Sequence, residues 1–415
     1  MSSSSAAPLP ADLADDRLIR EQGLRGYATR FTARVRSGDL GALPVVIGLA
    51  VIWAAFYALN PVFLSSRNLV NLTLQSAAIG TIALGIVLVL LLAEIDLSVG
   101  SVSGLASAVL AVTFVQNALP LAAALVLAIG SGTLVGLLYG LLYVRFGVPS
   151  FVITLAGLLG FLGLQLYVLG DTGSINLPFD SAVVQFAQQA FLPAPLAYAL
   201  AVAVPAVYAV VRLAAGRRRT AAGLSAPPVL DVAVRSGLLA AVLLLAVWYL
   251  GIDRGVSVMF LLFALLVVVV DLALRRTRWG RAVFAVGGNV EAARRAGIAV
   301  NRVYVSVFAL CSTLAALGGV LAASRVAAAN QSSGGADTNL NAIAAAVIGG
   351  TSLFGGRGSA YSALLGILVI QSISSGLTLL NLDSSVRYMV TGAVLLLAVT
   401  VDSLSRRSRR SHGRA

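Results

Sequence analysis

The chain has 415 residues, of which 59% are hydrophobic and 11% charged, and its formal net charge is +13. This is far more apolar surface than one soluble core can bury, so the composition excludes an ordinary soluble domain and indicates a polytopic membrane protein. The apolar runs are mostly about 17–25 residues long, as helices that cross a bilayer require. An outer-membrane barrel would instead show alternating segments of about ten residues.

Residues 1–42 are predicted to form a cytoplasmic tail. They contain no apolar stretch of the signal-peptide kind, so no cleavage is expected. The apolar side chains of Leu24, Tyr27, Phe31 and Val35 share one helical face. That spacing is consistent with an interfacial helix on the cytoplasmic leaflet, and equally with a solvated tail.

Twelve helices are predicted after this tail, and residues 43–402 are assigned to one transmembrane domain. Their expected bounds are 43–59, 68–92, 97–115, 119–142, 151–170, 196–213, 236–250, 256–274, 303–323, 339–350, 359–380 and 386–402. The tenth, "NLNAIAAAVIGG", is too short to cross alone, which predicts a half-span packed inside the protein. The expected fold is therefore an all-α membrane bundle of about 10–12 spans, followed by a basic cytoplasmic tail at 403–415.

The basic residues set the predicted topology. All 29 are arginine. With the N-terminus inside, 25 arginines lie on the cytoplasmic side and only four outside, at Arg67, Arg254, Arg325 and Arg387. This asymmetry follows the positive-inside rule, so both termini are predicted to be cytoplasmic. The positive charge is thereby explained without a nucleic-acid partner.

The residue inventory excludes much chemistry. Cys311 and His412 are the only cysteine and histidine, and lysine is absent. Disulfides, zinc clusters and Ser-His-Asp arrangements are thus excluded, as is the phosphate-binding loop GxxxxGK[ST]. We predict no catalytic residue, no metal and no cofactor in this chain.

Two carboxylates, Glu94 and Asp96, lie at the junction of two predicted spans in "AEIDLSVGSVSG". One interpretation is structural: Asp96 or Ser98 caps the next helix, while Glu94 meets interfacial water. The other is a role in gating or lining a path, because charges near a helix break in a membrane are often functional.

Residues 280–302 form a polar cytoplasmic interruption that contains its own helix signals. In "NVEAARRAG", an N-cap residue, an acidic first turn, two helix formers, basic residues and a terminal glycine follow one another. They predict a helix of about two turns, too short to be stable without a docking partner. Its candidate coupling residues are Asn289, Glu291, Ala292, Ala293, Arg294 and Gly297.

The segment "EAARRAG" resembles the EAA loop by which permease subunits of ABC importers dock into their ATPase. The surrounding "GRAVFAVGGNVEAARRAGIAVNRV", together with "FLSSRNLVNL", "AEIDLSVGS", "VPSFVITLAG" and "AIAAAVIGGTSLFGG", resembles the monosaccharide branch of these permeases, the ribose, xylose and galactose importers. The likeness covers most of residues 61–402, and the helix pair at 196–250 resembles the xylose type. Arg295 and Ala296 depart from the Leu-Ser pair expected there.

The resemblance implies a permease of the plasma (inner) membrane that has no ATP site of its own. Its implied partners are an ATP-binding subunit, an extracytoplasmic sugar-binding protein, a second permease copy and membrane lipid. A neutral sugar needs an uncharged polar lining, although each such side chain could equally make a helix-packing hydrogen bond. The gating or path candidates are Glu94, Asp96, Ser98, Ser101, Asn68 and Gln371, with Asn71, Gln75, Ser372 and Ser375 as further polar positions.

Alternatives remain open. An ion-coupled secondary transporter explains the spans, but it explains neither the capped cytoplasmic helix nor the scarcity of carboxylates at membrane depth. A membrane-embedded enzyme would need convergent His, Asp or Lys side chains. Within the resemblance, a permease for ribose, galactose or another small sugar is the alternative to one for xylose.

Overall fold

The computed structural model describes residues 43–400 except for 227, 387, 395, 398 and 399. The predicted tails at 1–42 and 403–415, including the interfacial helix, lie outside the described residues. Residues 401–402 of the twelfth predicted helix also lie outside them.

The first half of the described chain is almost entirely helical. A short 3₁₀ turn, Pro61–Leu64, separates the first two helices, and α3 continues as a π-helix over Val112–Gln116. The elements are α1 (Leu43–Leu59), α2 (Ser66–Leu91), α3 (Val99–Ala111), α4 (Leu121–Phe146), α5 (Ser150–Leu169), β1 (Ser174–Asn176), α6 (Ala182–Gln188), α7 (Ala194–Ala221) and α8 (Val229–Leu250).

The second half contains the polar segment at residues 280–302 and the short helix predicted at 339–350. Helical conformation also occurs at residues 384–386 and 388–394. The elements are α9 (Val258–Arg276), α10 (Arg278–Gly288), α11 (Val290–Arg295), α12 (Val300–Val326), β2 (Ala328–Asn330), α13 (Ala336–Ile348) and α14 (Tyr361–Leu379).

Within the described residues, nine helices are long and apolar enough to cross a membrane. The apolar α1, with 17 residues, is slightly shorter. Helix α13 has 13 residues and therefore spans about 20 Å at 1.5 Å per residue, short of a hydrocarbon core of about 30 Å. The all-α membrane bundle predicted from sequence is confirmed, and α13 has the length expected of a half-span.

The structure also contains elements that the hydrophobic pattern did not predict. Strands β1 and β2 pair antiparallel, with Ser174 opposite Asn330 and Asn176 opposite Ala328. Helix α6 is short, and α10 occupies the first part of the polar interruption. Each is shorter than a membrane span, so a search for long apolar runs overlooks it.

Residues Leu192–Val256 form a compact unit separate from the rest of the described chain. In this unit α7 and α8 pack against each other as a hairpin. Most of their side chains are exposed.

The larger unit is organised around α2 and α12. Helix α12 contacts α2, α3 and α4. All four helices contribute buried side chains to one hydrophobic core, together with α9 and α13. The main chains approach closely where side chains are small: a Cβ on Gly85 would lie 2.8 Å from the carbonyl oxygen of Cys311. Small residues at such crossings are how membrane helices gain packing contacts.

Candidate coupling site

Helix α11 forms as its local signals predicted. Asn289 has extended backbone, and its side-chain oxygen accepts a hydrogen bond from the amide of Ala292 at 2.9 Å. Glu291 occupies the first turn, where a negative charge favours the helix dipole. The prediction of a short capped helix at this position is confirmed.

The end of α11 is a Schellman motif. The amide of Gly297 donates to the carbonyl of Arg294 at 3.0 Å, and that of Ile298 donates to the carbonyl of Ala293 at 3.1 Å. Gly297 has a φ of +79°, the left-handed conformation that glycine adopts without steric cost. The chain therefore stops the helix sharply and turns into α12.

Helix α11 has one buried and one charged side. Ala293 is buried against the core. Glu291 pairs with Arg294 at 3.2 Å and with Arg295 at 3.6 Å, and all three side chains are exposed. Ion pairs at such exposure contribute little to stability, so these groups are available to a partner.

Helix α10 connects α11 to the membrane helices. It is amphipathic and buries Gly280, Val283 and Val286. The indole of Trp279 donates to the hydroxyl of Ser306 on α12 at 2.8 Å. Near its end, a Cβ on Gly287 would collide with the carbonyl oxygen of Leu91, the last residue of α2.

The same Leu91 carbonyl accepts a hydrogen bond from the amide of Gly356 at 2.9 Å, in the loop that precedes α14. The end of α2 is thus in contact with both the segment that carries α11 and the loop after α13. The α2–α3 junction, residues 92–98, therefore begins where these two segments meet α2.

Glu94 in this junction is held by two hydroxyl groups. Tyr143 on α4 donates to one carboxylate oxygen at 2.6 Å, and Ser150 on α5 donates to the other at 2.5 Å. Glu94 is half-buried. The interpretation that Glu94 simply meets interfacial water is therefore incomplete, because side chains of two other helices donate to both of its oxygens.

Asp96 is fully buried at the start of α3. One carboxylate oxygen accepts from the amide and the hydroxyl of Ser98, at 2.8 Å and 2.7 Å. The thiol of Cys311 lies 3.8 Å from the other oxygen, and Tyr139 donates to the Ser98 hydroxyl at 2.8 Å. Ser98 occupies the N-cap position without a side-chain cap of its own, so Asp96 fixes the turn that leads into α3.

Several path candidates make helix-packing hydrogen bonds. Asn68 donates to the carbonyl of Phe63 at 2.7 Å and accepts from Ser375 at 2.9 Å. Ser101 donates to the carbonyl of Leu158 at 2.8 Å. Ser372 accepts from the Trp53 indole at 2.8 Å. Gln371 is buried on α14. These bonds hold Asn68 to α14, Ser101 to α5 and Ser372 to α1.

Two buried amides were missed by the sequence reasoning. Gln165 on α5 donates to the carbonyls of Asn330 and Ser333, and Asn339 on α13 donates to the carbonyl of Leu97 at 2.6 Å. The amide oxygen of each has no hydrogen-bond partner among the described residues. Gln165 is an isolated polar residue in an apolar span, and that interruption is the signal that could have revealed it.

A bundle of nine helices of membrane-crossing length within the described residues, with an exposed capped helix between two of them, is the architecture of a multi-pass membrane protein. The profile of a family described as a permease component of branched-chain amino acid transport systems matches residues 68–399. The chain belongs to this family.

Among its relatives is the xylose transport system permease protein XylH of Escherichia coli (strain K12), which is 36% identical over 90% of this chain and 94% of the relative. The protein of the same name from Haemophilus influenzae is 34% identical over 90% and 99%. The ribose import permease protein RbsC of Bacillus subtilis (strain 168) is 32% identical over 88% and 94%. No solved structure matches the chain.

Proposed function

We propose that this chain is the permease subunit of a binding-protein-dependent ABC importer that carries a monosaccharide, D-xylose, across the plasma (inner) membrane. A separate ATPase subunit supplies the energy. The observation that carries the proposal is α11, a capped and exposed helix. The preceding helix, α10, contacts the end of α2. The similarity to xylose and ribose permeases supports the choice of substrate class.

In this proposal α11 is the coupling helix. Its exposed Glu291, Arg294 and Arg295 engage a groove of the ATPase, while Ala293 anchors its other side to the bundle. When the ATPase dimer closes, α11 and α10 move together. The contact between Gly287 and Leu91 passes that movement to the α2–α3 junction.

Movement of the junction then displaces α3, which begins there, and α13, which is bonded to it. Asp96 and Ser98 hold the beginning of α3, and Asn339 of the half-span α13 is bonded to Leu97. We assign Glu94, Asp96 and Ser98 to gating rather than to sugar selection. The amide oxygens of Gln165 and Asn339, which have no partner in the described part of the chain, are better candidates for polar path groups, because a sugar hydroxyl can donate a hydrogen bond to them.

The partners follow from the same scheme. An extracytoplasmic binding protein selects the sugar and delivers it to the outer face. Two permease chains assemble as a homodimer, because each of two ATPase sites needs a coupling helix. The arginine distribution supports an orientation with both termini in the cytoplasm.

Reconstitution tests the proposal. The permease, co-purified with its ATPase and binding protein, is placed in proteoliposomes, and uptake of radiolabelled D-xylose is measured with ribose, galactose and leucine as competitors. We expect uptake that requires ATP, the ATPase and the binding protein. Uptake driven by an ion gradient without the ATPase would identify a secondary transporter, and substrate turnover without translocation an enzyme. Preference for leucine would reject the sugar assignment.

A further inference from the structure

A half-open cavity of about 500 Å³ lies beside the coupling helix. Its walls come from α4, α5, α11 and α12 and from the α2–α3 junction. No local pattern in the sequence predicts it, because these segments are far apart along the chain. The lining groups that matter for its chemistry are Glu94, Tyr143, Ser150, Arg294, Asn301 and Tyr304.

The polar groups of this cavity are positioned in advance. The hydroxyls of Tyr143 and Ser150 fix the Glu94 carboxylate. A carboxylate has about four acceptor sites, so Glu94 can still accept from a ligand. Arg294 and Asn301 are exposed. Asn301 offers amide donors, and the guanidinium of Arg294 has five donors, of which one pairs with Glu291.

The cavity also has an aromatic side. The rings of Tyr143 and Tyr304 lie 4.5 Å apart between centroids, and Phe151 at the rim is 54% exposed. Aromatic and aliphatic walls with a few fixed polar groups are the usual composition of small-molecule sites, and this volume is within their usual range.

The charges of the lining select the class of ligand. Among the described residues that line it, Glu94 and Arg294 are the two charged at neutral pH, and their formal charges cancel. A phosphate or carboxylate ligand would approach the Glu94 carboxylate unfavourably. A neutral molecule with many hydroxyls and apolar C–H faces matches the carboxylate, the amide, the guanidinium and the aromatic rings.

We infer that this cavity is a cytoplasmic binding site for a neutral monosaccharide, through which accumulated sugar slows the importer. The inference rests on the proposed function, which makes such a sugar the product released on this side. A ligand that touches Glu94 together with Arg294 and Asn301 joins α11 and α12 to the α2–α3 junction. It thereby favours the state seen here over one in which α11 has moved, and slows each coupled cycle.

The test uses proteoliposomes in which the ATPase faces the outer medium. Binding protein and D-xylose inside the vesicles stimulate ATP hydrolysis, and D-xylose is then titrated into the outer medium, with sucrose at equal osmolarity as the control. We expect the stimulated rate to fall by about fivefold or more, the lower end of typical coupling between two sites.

Two variants distinguish the cavity from a general effect of sugar. Asn301→Ala removes one lining amide, whereas Arg302→Ala alters an exposed neighbour that does not line the cavity. Asn301→Ala is expected to keep stimulation by internal sugar and to raise the half-inhibitory external concentration about tenfold. Arg302→Ala is expected to behave as the unmodified protein. Normal stimulation with no external inhibition, or with equal inhibition in both variants, overturns the inference.

Equilibrium binding is an independent test of the cavity. Radiolabelled D-xylose is titrated against the permease–ATPase complex in nanodiscs without the binding protein. One saturable site per permease chain, weakened about tenfold in Asn301→Ala, supports the cavity. Absence of binding, or binding that Asn301→Ala leaves unchanged, overturns it. Absence of stimulation by internal sugar would instead reject the proposed function.

Discussion

Helices α2 and α8 are almost equally apolar but occupy opposite environments. Their most apolar stretches have mean hydropathies of 2.2 and 2.1, yet 89% of that stretch is buried in α2 and 6% in α8. Lipid tails are as apolar as leucine side chains, so hydropathy identifies both as spans and separates neither from the other. What distinguishes them is the closeness of neighbouring backbones, as at Gly85 of α2.

The largest expected effect comes from adding volume to the buried helix. Gly85→Val places a side chain against the Cys311 carbonyl and forces α2 and α12 apart, which costs about 1–3 kcal/mol or more. We expect a marked loss of monodisperse protein after purification and a lower temperature of thermal inactivation.

Gly237→Val on α8 is the matched control, because a Cβ there meets nothing within 4 Å. It should purify with the yield and thermal stability of the unmodified protein. Equal losses in the two variants would show that burial does not distinguish these helices.

Changes in α11, the proposed coupling helix, test whether damage to this short helix spares both α2 and α8. In Glu291→Lys with Gly297→Val, the favourable charge in the first turn is reversed, and a side chain is forced into a left-handed conformation, at a cost of about 1 kcal/mol or more. We expect normal membrane levels, weakened retention of the ATPase during purification and loss of sugar-stimulated ATP hydrolysis. Unchanged coupling would reduce residues 280–302 to a solvated loop.

A smaller effect is expected where α10 meets the end of α2. Gly287→Ala adds a methyl group against the Leu91 carbonyl, whereas a methyl group on the adjacent Gly288 meets nothing within 4 Å. Gly287→Ala should lower sugar-stimulated ATP hydrolysis severalfold while the ATPase stays bound. Gly288→Ala should leave the rate unchanged, and a similar decrease in both would argue against transmission through Leu91.

The smallest effects are expected from carboxylate-to-amide changes. Asp96→Asn keeps an oxygen that accepts from Ser98, so assembly and sugar preference should be retained. Asp231→Asn on α8 breaks a partly exposed pair with Arg235 at 3.0 Å and should alter stability by less than about 1 kcal/mol. Uptake of several competing sugars tests Asp96→Asn: a changed sugar preference would place selectivity in the permease.

The candidate site was predictable in part. The helix of the coupling segment follows from a cap, an acidic first turn and a glycine stop within nine residues, and all these signals act locally. The partners of Glu94 could not be predicted, because Tyr143 and Ser150 are 49 and 56 residues away. Helix α10 was missed because its apolar face is only three turns long, and its burial against the bundle stabilises it.

By itself the sequence determined the membrane class, the approximate positions of eleven of the predicted helices and the capped helix α11, because hydrophobic run length and helix capping depend on neighbouring residues. Only the tertiary structure decided which helices are buried, how β1 finds β2, where Asp96 is enclosed and that a cavity opens beside α11. Those features arise from contacts between segments distant along the chain. In a membrane an apolar side chain can face either lipid or another helix at similar cost, so close packing of the backbones decides which helices are buried.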